Sequence, residues 1–233
     1  MRITVSLLGL MLLVSVLVAG CSGGGSPSDR AAGPPPGGAP PTAQYWPLKV
    51  GDFWKYRATH YKAATVSPGD AMLLKALGLP GGTVPSSTTN TAKYTITGTT
   101  KIGGVTWFLM KYAAGSWNET TYDMHDAQGF AEKMIRPEPP WFWLKNPLNV
   151  GAKWSISPDG AVKGKVLSLT ANVTVPVGTF GNCLQVQQTW THPSGNQIAQ
   201  VWYAPNKGEV KSEWREGGVL TDKTELTATN VGG

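Results

Sequence analysis

The sequence predicts an all-β fold with one short helix, an antiparallel curved sheet of about ten strands forming a half-open barrel. Three observations predict it. From residue 92 to residue 229 apolar and polar side chains alternate in the two-residue period of half-buried strands. The joints between these runs are short and carry turn residues, as in "HPSGN" (192–196), "PNKG" (205–208) and "EGG" (216–218). Such joints suit antiparallel neighbours, whereas parallel ones need crossovers of a dozen residues or more. Finally, this many strands cannot stay a flat open sheet and must curl, split or close.

The chain opens outside that fold. Met1 and Arg2 precede an apolar run from Ile3 to Val18, which ends in "VAGC" with Ala19 and Gly20 before Cys21. A short positive region, an apolar stretch and small residues at the cleavage point make a secretory signal peptide over 1–20. The run is shorter than the ~20 residues a membrane-spanning helix needs. "VAGC" resembles the lipobox of bacterial lipoproteins, which implies cleavage before Cys21 and acylation of its sulfur, with palmitate among the lipids expected. Two or three acyl chains hold a protein at a membrane stably, at about 0.8 kcal/mol per buried CH₂. Ser22 stands where sorting rules for such lipoproteins place Asp for inner-membrane retention, which implies the outer membrane, facing the periplasm, in a host with two membranes. Residues 21–44 are almost wholly Gly, Pro, Ser and Ala, a tether and not a fold.

The head, 45–233, is long enough for one β-rich domain, though two smaller halves are not excluded by length. Within it "PLKVGDFWKY" (47–56) returns a hundred residues later as "PLNVGAKWSI" (147–156), with Pro, Leu, Val, Gly and Trp in register. Pro ends the preceding segment, Leu packs inward, Gly permits a left-handed turn, and a strand then starts with Trp. The phrase reads as two equivalent entries into one curved sheet.

The strand runs follow as 92–100, 105–112, 117–124 and 129–135, and, after a Pro-rich break, "GAKWSI", 162–175, 183–190, 197–204, 208–214 and 219–229. A long insertion, roughly 62–91, interrupts the pattern. Inside it Asp70 caps a helix over 70–78 whose apolar face holds Met72, Leu73, Ala76 and Leu77, with Gly78 and Pro80 as stops. Insertions of this length are commonly functional lids or disordered.

"PLKVGDFWKY", "VPVGTFGNCLQVQQT" (175–189) and "VWYAPNKGEVKSEW" (201–214) together resemble the pattern of a group of bacterial envelope proteins, the TapB-like proteins and related domains of unknown function. Their usual pieces are P-L-x-x-G-x-x-W, V-P-x-G-T-F-x-x-C and W-Y-A-x-x-x-G-x-V-K, and the match covers about forty residues of the head. The resemblance implies a half-open barrel similar to lipoprotein carriers and receptors, in which an antiparallel sheet wraps an apolar groove. It implies no particular activity. The sequence departs from the pattern at Lys207 and Glu209, where the group carries apolar residues, and a more solvated turn is expected there.

Chemistry is sparsely written. His60, His125 and His192 are far apart, with no metal-ligand spacing, and no nucleophile elbow or phosphate loop occurs. His125 reads as part of a polar loop, His192 as exposed in a turn. Cys183, the one thiol left after Cys21, reads as a small buried hydrophobe beside Phe180 and Leu184. No cofactor, no metal and no catalytic set are expected. A formal net charge of +6, scattered without a Lys/Arg run, fits anionic surfaces such as headgroups and not nucleic acid. Trp141, Phe142 and Trp143 stand in "RPEPPWFWLKNP" (136–147), either exposed for a ligand or closing the barrel end.

The expected function is therefore non-enzymatic. A lipid-anchored head binds a hydrophobic ligand or a partner's segment in a groove lined by Trp107, Leu109, Trp141 and Trp143, with Met72 and Leu77 from the lid. The alternative is a structural or assembly component that holds an envelope protein at the membrane.

Overall fold

A computed structural model describes residues 42–63, 85–134, 138–193 and 195–232. The signal peptide, Cys21, and the helix expected over 70–78 with Met72 and Leu77 lie outside these residues. Among the described residues one short helix, α1 (Thr42–Tyr45), precedes twelve strands. These are β1 (Phe53–Ala63), β2 (Pro85–Ile102), β3 (Val105–Ala114), β4 (Trp117–His125), β5 (Gly129–Lys133), β6 (Trp141–Lys145), β7 (Lys153–Ser155), β8 (Val162–Val175), β9 (Gly178–His192), β10 (Gly195–Ala204), β11 (Gly208–Glu216) and β12 (Val219–Thr229). All twelve join one antiparallel sheet in the order β6-β5-β4-β3-β2-β1-β12-β11-β10-β9-β8-β7. The fold class is as expected, with two corrections of extent. The Pro-rich break supplies an edge strand, β6, because its prolines precede Trp141 and leave every ladder donor from there on intact. The Thr/Ser run 86–91, read as insertion, is β2 paired with β1, since β-branched Thr suits an extended ladder. Thr42, ahead of the expected boundary at Tyr45, is buried, and Asn206 N–H donates to the Gln44 carbonyl.

The twice-written phrase is a true structural equivalence. Gly51 N–H donates to the Ile96 carbonyl at 2.9 Å, and Gly151 N–H to the Val166 carbonyl at 2.9 Å. Asp52 bonds back to Lys49 and Ala152 back to Asn149, and Ile96 and Val166 return the bonds to residues 52 and 152. Both glycines sit at positive φ, +93° and +86°, a conformation other residues adopt at a cost. Both tryptophans use their indole N–H to reach a backbone carbonyl on a distant segment, Trp54 to Lys207 and Trp154 to Phe142.

The second of these bonds lies where the sheet's two edges meet. Phe142 N–H, on β6, donates to the Ile156 carbonyl at 3.0 Å, just beyond β7. Trp154 N–H donates to the Phe142 carbonyl at 2.8 Å. The Trp154 ring lies flat on Gly164, where any Cβ would come within 2.4 Å of it. The sheet is thereby drawn into a nearly closed barrel.

Side chains alternate across the barrel wall. Inside, at the end where the chain enters, Trp46 stacks on Trp54 (centroids 5.3 Å, 9°) and on Phe130 (5.2 Å), with Tyr203 edge-on at 6.1 Å. Leu144, Leu148, Leu184 and Leu226 surround this plug and are fully buried. Outside, Lys211 and Arg215 flank Glu213, and Arg57 and Lys223 flank Glu225. A wall carrying such clusters faces water, the reverse of a membrane-spanning barrel, whose outer band is apolar.

Candidate functional site

Above the plug the interior turns polar. Asp123 on β4 pairs directly with Glu132 on β5. Asp123 also sits opposite Phe108, a member of the main core, so both carboxyls point into the lumen. Asp123 is 1% exposed. Burial raises its pKa well above the ordinary range, and the neighbouring Glu132 adds to this, while Thr121 O–H, donating at 3.1 Å, pulls it down. Burial pushes Glu132 up to about 7, with Glu119 adding to the shift. Two carboxyls side by side on adjacent strands and removed from water each favour the neutral form of the other. The Trp46 N–H faces Asp123 and the Trp143 N–H faces Glu132, each favouring the charged form, at separations beyond a full hydrogen bond.

A third carboxyl joins them. A bulge between Trp202 and Tyr203 sets Glu209 opposite the inward Tyr203. Burial pushes Glu209 up to about 7, against a hydrogen bond from Ser212. The turn at 207–209, expected to be more solvated, is the reverse. Glu209 is inside, and Lys207 donates to the Val231 and Gly232 carbonyls. Three tyrosines line the same level: Tyr56 packs edge-on against Tyr94 (5.7 Å), Tyr94 against Tyr112 (4.8 Å), and Tyr56 O–H donates to the Glu209 carbonyl at 2.9 Å. Tyr94, Glu132 and Glu209 keep some accessible surface although they stand deep in the protein. They are half-buried side chains of the barrel interior.

Over this floor four tryptophans form the upper wall. Trp141, Trp143 and Trp190 make a triangle with centroids 5.9, 6.0 and 6.2 Å apart, and Trp214 joins Trp190 at 5.5 Å. All four are half-buried. The indole N–H groups of Trp143 and Trp190 are shielded and make no hydrogen bond among the described residues. His60 and Asp222, paired side chain to side chain, stand beside Trp214 at this level, since Trp214 is the cross-strand partner of Asp222.

The expected site residues divide. Trp141 and Trp143 are in the lumen. Trp107 and Leu109 are on the other face of β3, and this corrects the expectation of one common groove. Trp107 is buried in a separate outer cluster with Met124 and Ala131, under Lys133 at 5.3 Å, and Leu109 lies over Gly98. The physical reason is the strand period: Phe108 and Met110 are the inward pair of β3, so 107 and 109 must face out. The concave face is also not uniformly apolar, as expected, but carboxylic and phenolic at mid-height. His125 is no loop residue; it ends β4, packs on Phe130 and donates from Nε2 to the Trp46 carbonyl, and burial lowers its pKa. His192 is exposed, and Cys183 is fully buried with its thiol pushed up to about 11 by burial. Among the described residues no group of His, Cys, Asp or Glu could hold a metal ion.

Sequence reasoning missed Asp123, Glu132, Glu209, Trp190 and Trp214. A signal existed for one of them: Glu132 shares strand parity with Phe130, an apolar residue that had to face the core. Glu209 was hidden by the bulge, which no local pattern announces.

No protein-family model matches the sequence, and no curated protein matches it. Two solved structures resemble the chain. One is a protein of Bacteroides fragilis assigned as exported, with a YMCC-like fold: 15% identity, TM-score 0.49, covering 80% of this chain and 98% of that one. The other is a protein of Parabacteroides distasonis assigned as a lipoprotein, with 15% identity, TM-score 0.40 and the same coverage. At that distance neither likeness carries an argument about what this chain does.

Proposed function

We propose that the protein is a non-enzymatic, lipid-anchored binding protein of the bacterial cell envelope, attached through Cys21 and related to the TapB-like group by the three motifs quoted above. Its barrel lumen takes an amphipathic ligand: the apolar part lies on Trp141, Trp143, Trp190 and Trp214, and the polar head descends toward Asp123, Glu132 and Glu209. The observation that carries this reading is the shielded indole N–H of Trp190, which has no acceptor among the described residues and stands among the half-buried rings of Trp141, Trp143 and Trp214. Buried polar groups are normally satisfied, so an idle donor above an acidic floor calls for an acceptor brought by a guest. Three carboxyls with raised pKa values reject an anionic head and accept a neutral or cationic one. The anchor would place this lumen at the membrane, on the periplasmic side of the outer membrane in a host with two.

The test is a fluorescence titration of the full chain with an alkylamine probe and a fatty-acid probe of equal chain length. Saturable binding of the amine, at least tenfold tighter than the acid at pH 7 and weakened by Trp190→Ala, is expected. Equal binding of both, or none, contradicts the reading. A protein recovered with the chain in one-to-one ratio from solubilised envelope, with neither probe bound, would favour the assembly role instead.

A further inference from the structure

The repeated phrase leaves one shared residue unused by the fold. Its Leu packs inward, its Gly makes the turn and its Trp fills the barrel, but its Val is turned outward in both copies: Val50 is 50% exposed and Val150 65%. Two more valines are exposed at turns of the same end. Val105 (46%) follows the β2–β3 turn, and Val177 (40%) is at the β8–β9 turn. Strand direction fixes the end. β2 runs down to it and β3 returns from it, β8 arrives and β9 leaves, and the turns at 50 and 150 feed β1 and β7 from it. The chain also enters here, where Thr42–Trp46 seals the barrel against the 204–207 turn.

The charge is uneven between the two ends. Lys49, Lys101, Lys145 and Lys153 lie in or next to the valine-bearing turns. Of the acids there, Asp52 is 9% exposed and Asp126 is engaged with the backbone N–H groups of Gln128 and Gly129. The opposite end also exposes Trp117 and Val219, but its turns and adjoining strand ends carry Glu119, Glu138, Asp159 and Glu216 against Lys133, Lys163 and Arg215, so its charges nearly cancel.

From this geometry we infer that the chain-entry end of the barrel is a membrane-contact surface, with Val50, Val105, Val150 and Val177 dipping into the interface and the flanking lysines on anionic headgroups. Single aliphatic tips on four separate turns do not make the contiguous patch a protein partner needs. They suit a soft, fluid surface, where each tip inserts on its own and Lys stems snorkel to phosphates. The inference goes beyond the lumen reading and rests on its membrane anchor alone. Thr42, where the described chain begins, is at this end, so the segment leading from Cys21 enters the head here.

The full lipidated chain is reconstituted into vesicles of phosphatidylethanolamine and phosphatidylglycerol, with an environment-sensitive fluorophore on Val150→Cys or on Val219→Cys. Cys183 is fully buried and stays unlabelled. Nitroxide lipids should quench the label at 150 several-fold more than the label at 219, and the difference should shrink in high salt. A chain that floats with the vesicles but shows equal quenching at both positions overturns the contact surface and leaves the anchor standing. A chain that does not float at all removes both.

Discussion

Replacing Trp46 by Ala lowers the melting temperature by roughly 10 °C, whereas Trp117→Ala, at an indole 44% exposed, changes it by little. Trp46 is 7% exposed and touches three other rings, of Trp54, Phe130 and Tyr203, so truncation leaves a cavity that no neighbour can collapse to fill. Large aromatic truncations of this kind cost about 3–5 kcal/mol. For a head of this size each kcal/mol moves the midpoint by about 2–4 °C. The variant also removes the indole N–H that faces Asp123, so the acidic floor loosens along with the fold. Scanning calorimetry of the two variants checks the contrast. Equal midpoints would mean that Trp46 is not the plug.

Stability falls as the pH rises from about 4.5 to about 7, and Glu132→Gln with Glu209→Gln flattens that fall. Glu132 and Glu209 each have pKa values raised from 4.5 to about 7, and Asp123 is raised well above its ordinary value. A carboxyl raised in the folded state binds its proton more tightly than in the unfolded chain. Its favourable contribution is full below the unfolded value and is lost as pH climbs through the folded one. The ceiling is on the order of 3 kcal/mol for each glutamate, since one pKa unit is about 1.4 kcal/mol. Asp159, Glu213 and Glu225 act in the opposite sense. Their pKa values are lowered, by Ser157 and the Ala161 amide for Asp159, and by the Lys and Arg partners that outweigh burial for Glu213 and Glu225. Their support is present above the ordinary carboxylate range and fades on acidification. The two sets together predict a stability maximum near pH 5, read from urea midpoints across the range. A maximum at pH 8 would contradict the buried charge pattern.

Much of the barrel was legible in the sequence because its signals are local. Alternation marked 162–175 and 219–229 to the residue, and short Gly-bearing joints fixed the antiparallel order. The phrase at 47 and 147 declared its equivalence through Gly and Trp, each of which has one physical use there. What stayed hidden is set by register across strands. Trp107 and Trp141 are both aromatic in apolar runs, and only the pairing of Phe108 with Asp123 reveals that one faces out and the other in. The acid pair arises because β4 and β5 bring residues 123 and 132 level, a coincidence of turn length. Bulges at Phe130/Ala131 and Trp202/Tyr203 then reset the parity of Trp143 and Glu209. An alternation rule read along one strand cannot foresee a bulge.

Infrared titration of the full chain tests the central claim most directly, by counting protonated carboxyls. Carbonyl absorption from neutral COOH should persist at pH 6, fall as the pH passes about 7, and diminish in Glu132→Gln. If every carboxyl has already ionised by pH 5.5, the barrel interior holds no shared proton, and the account of its acidic floor is wrong.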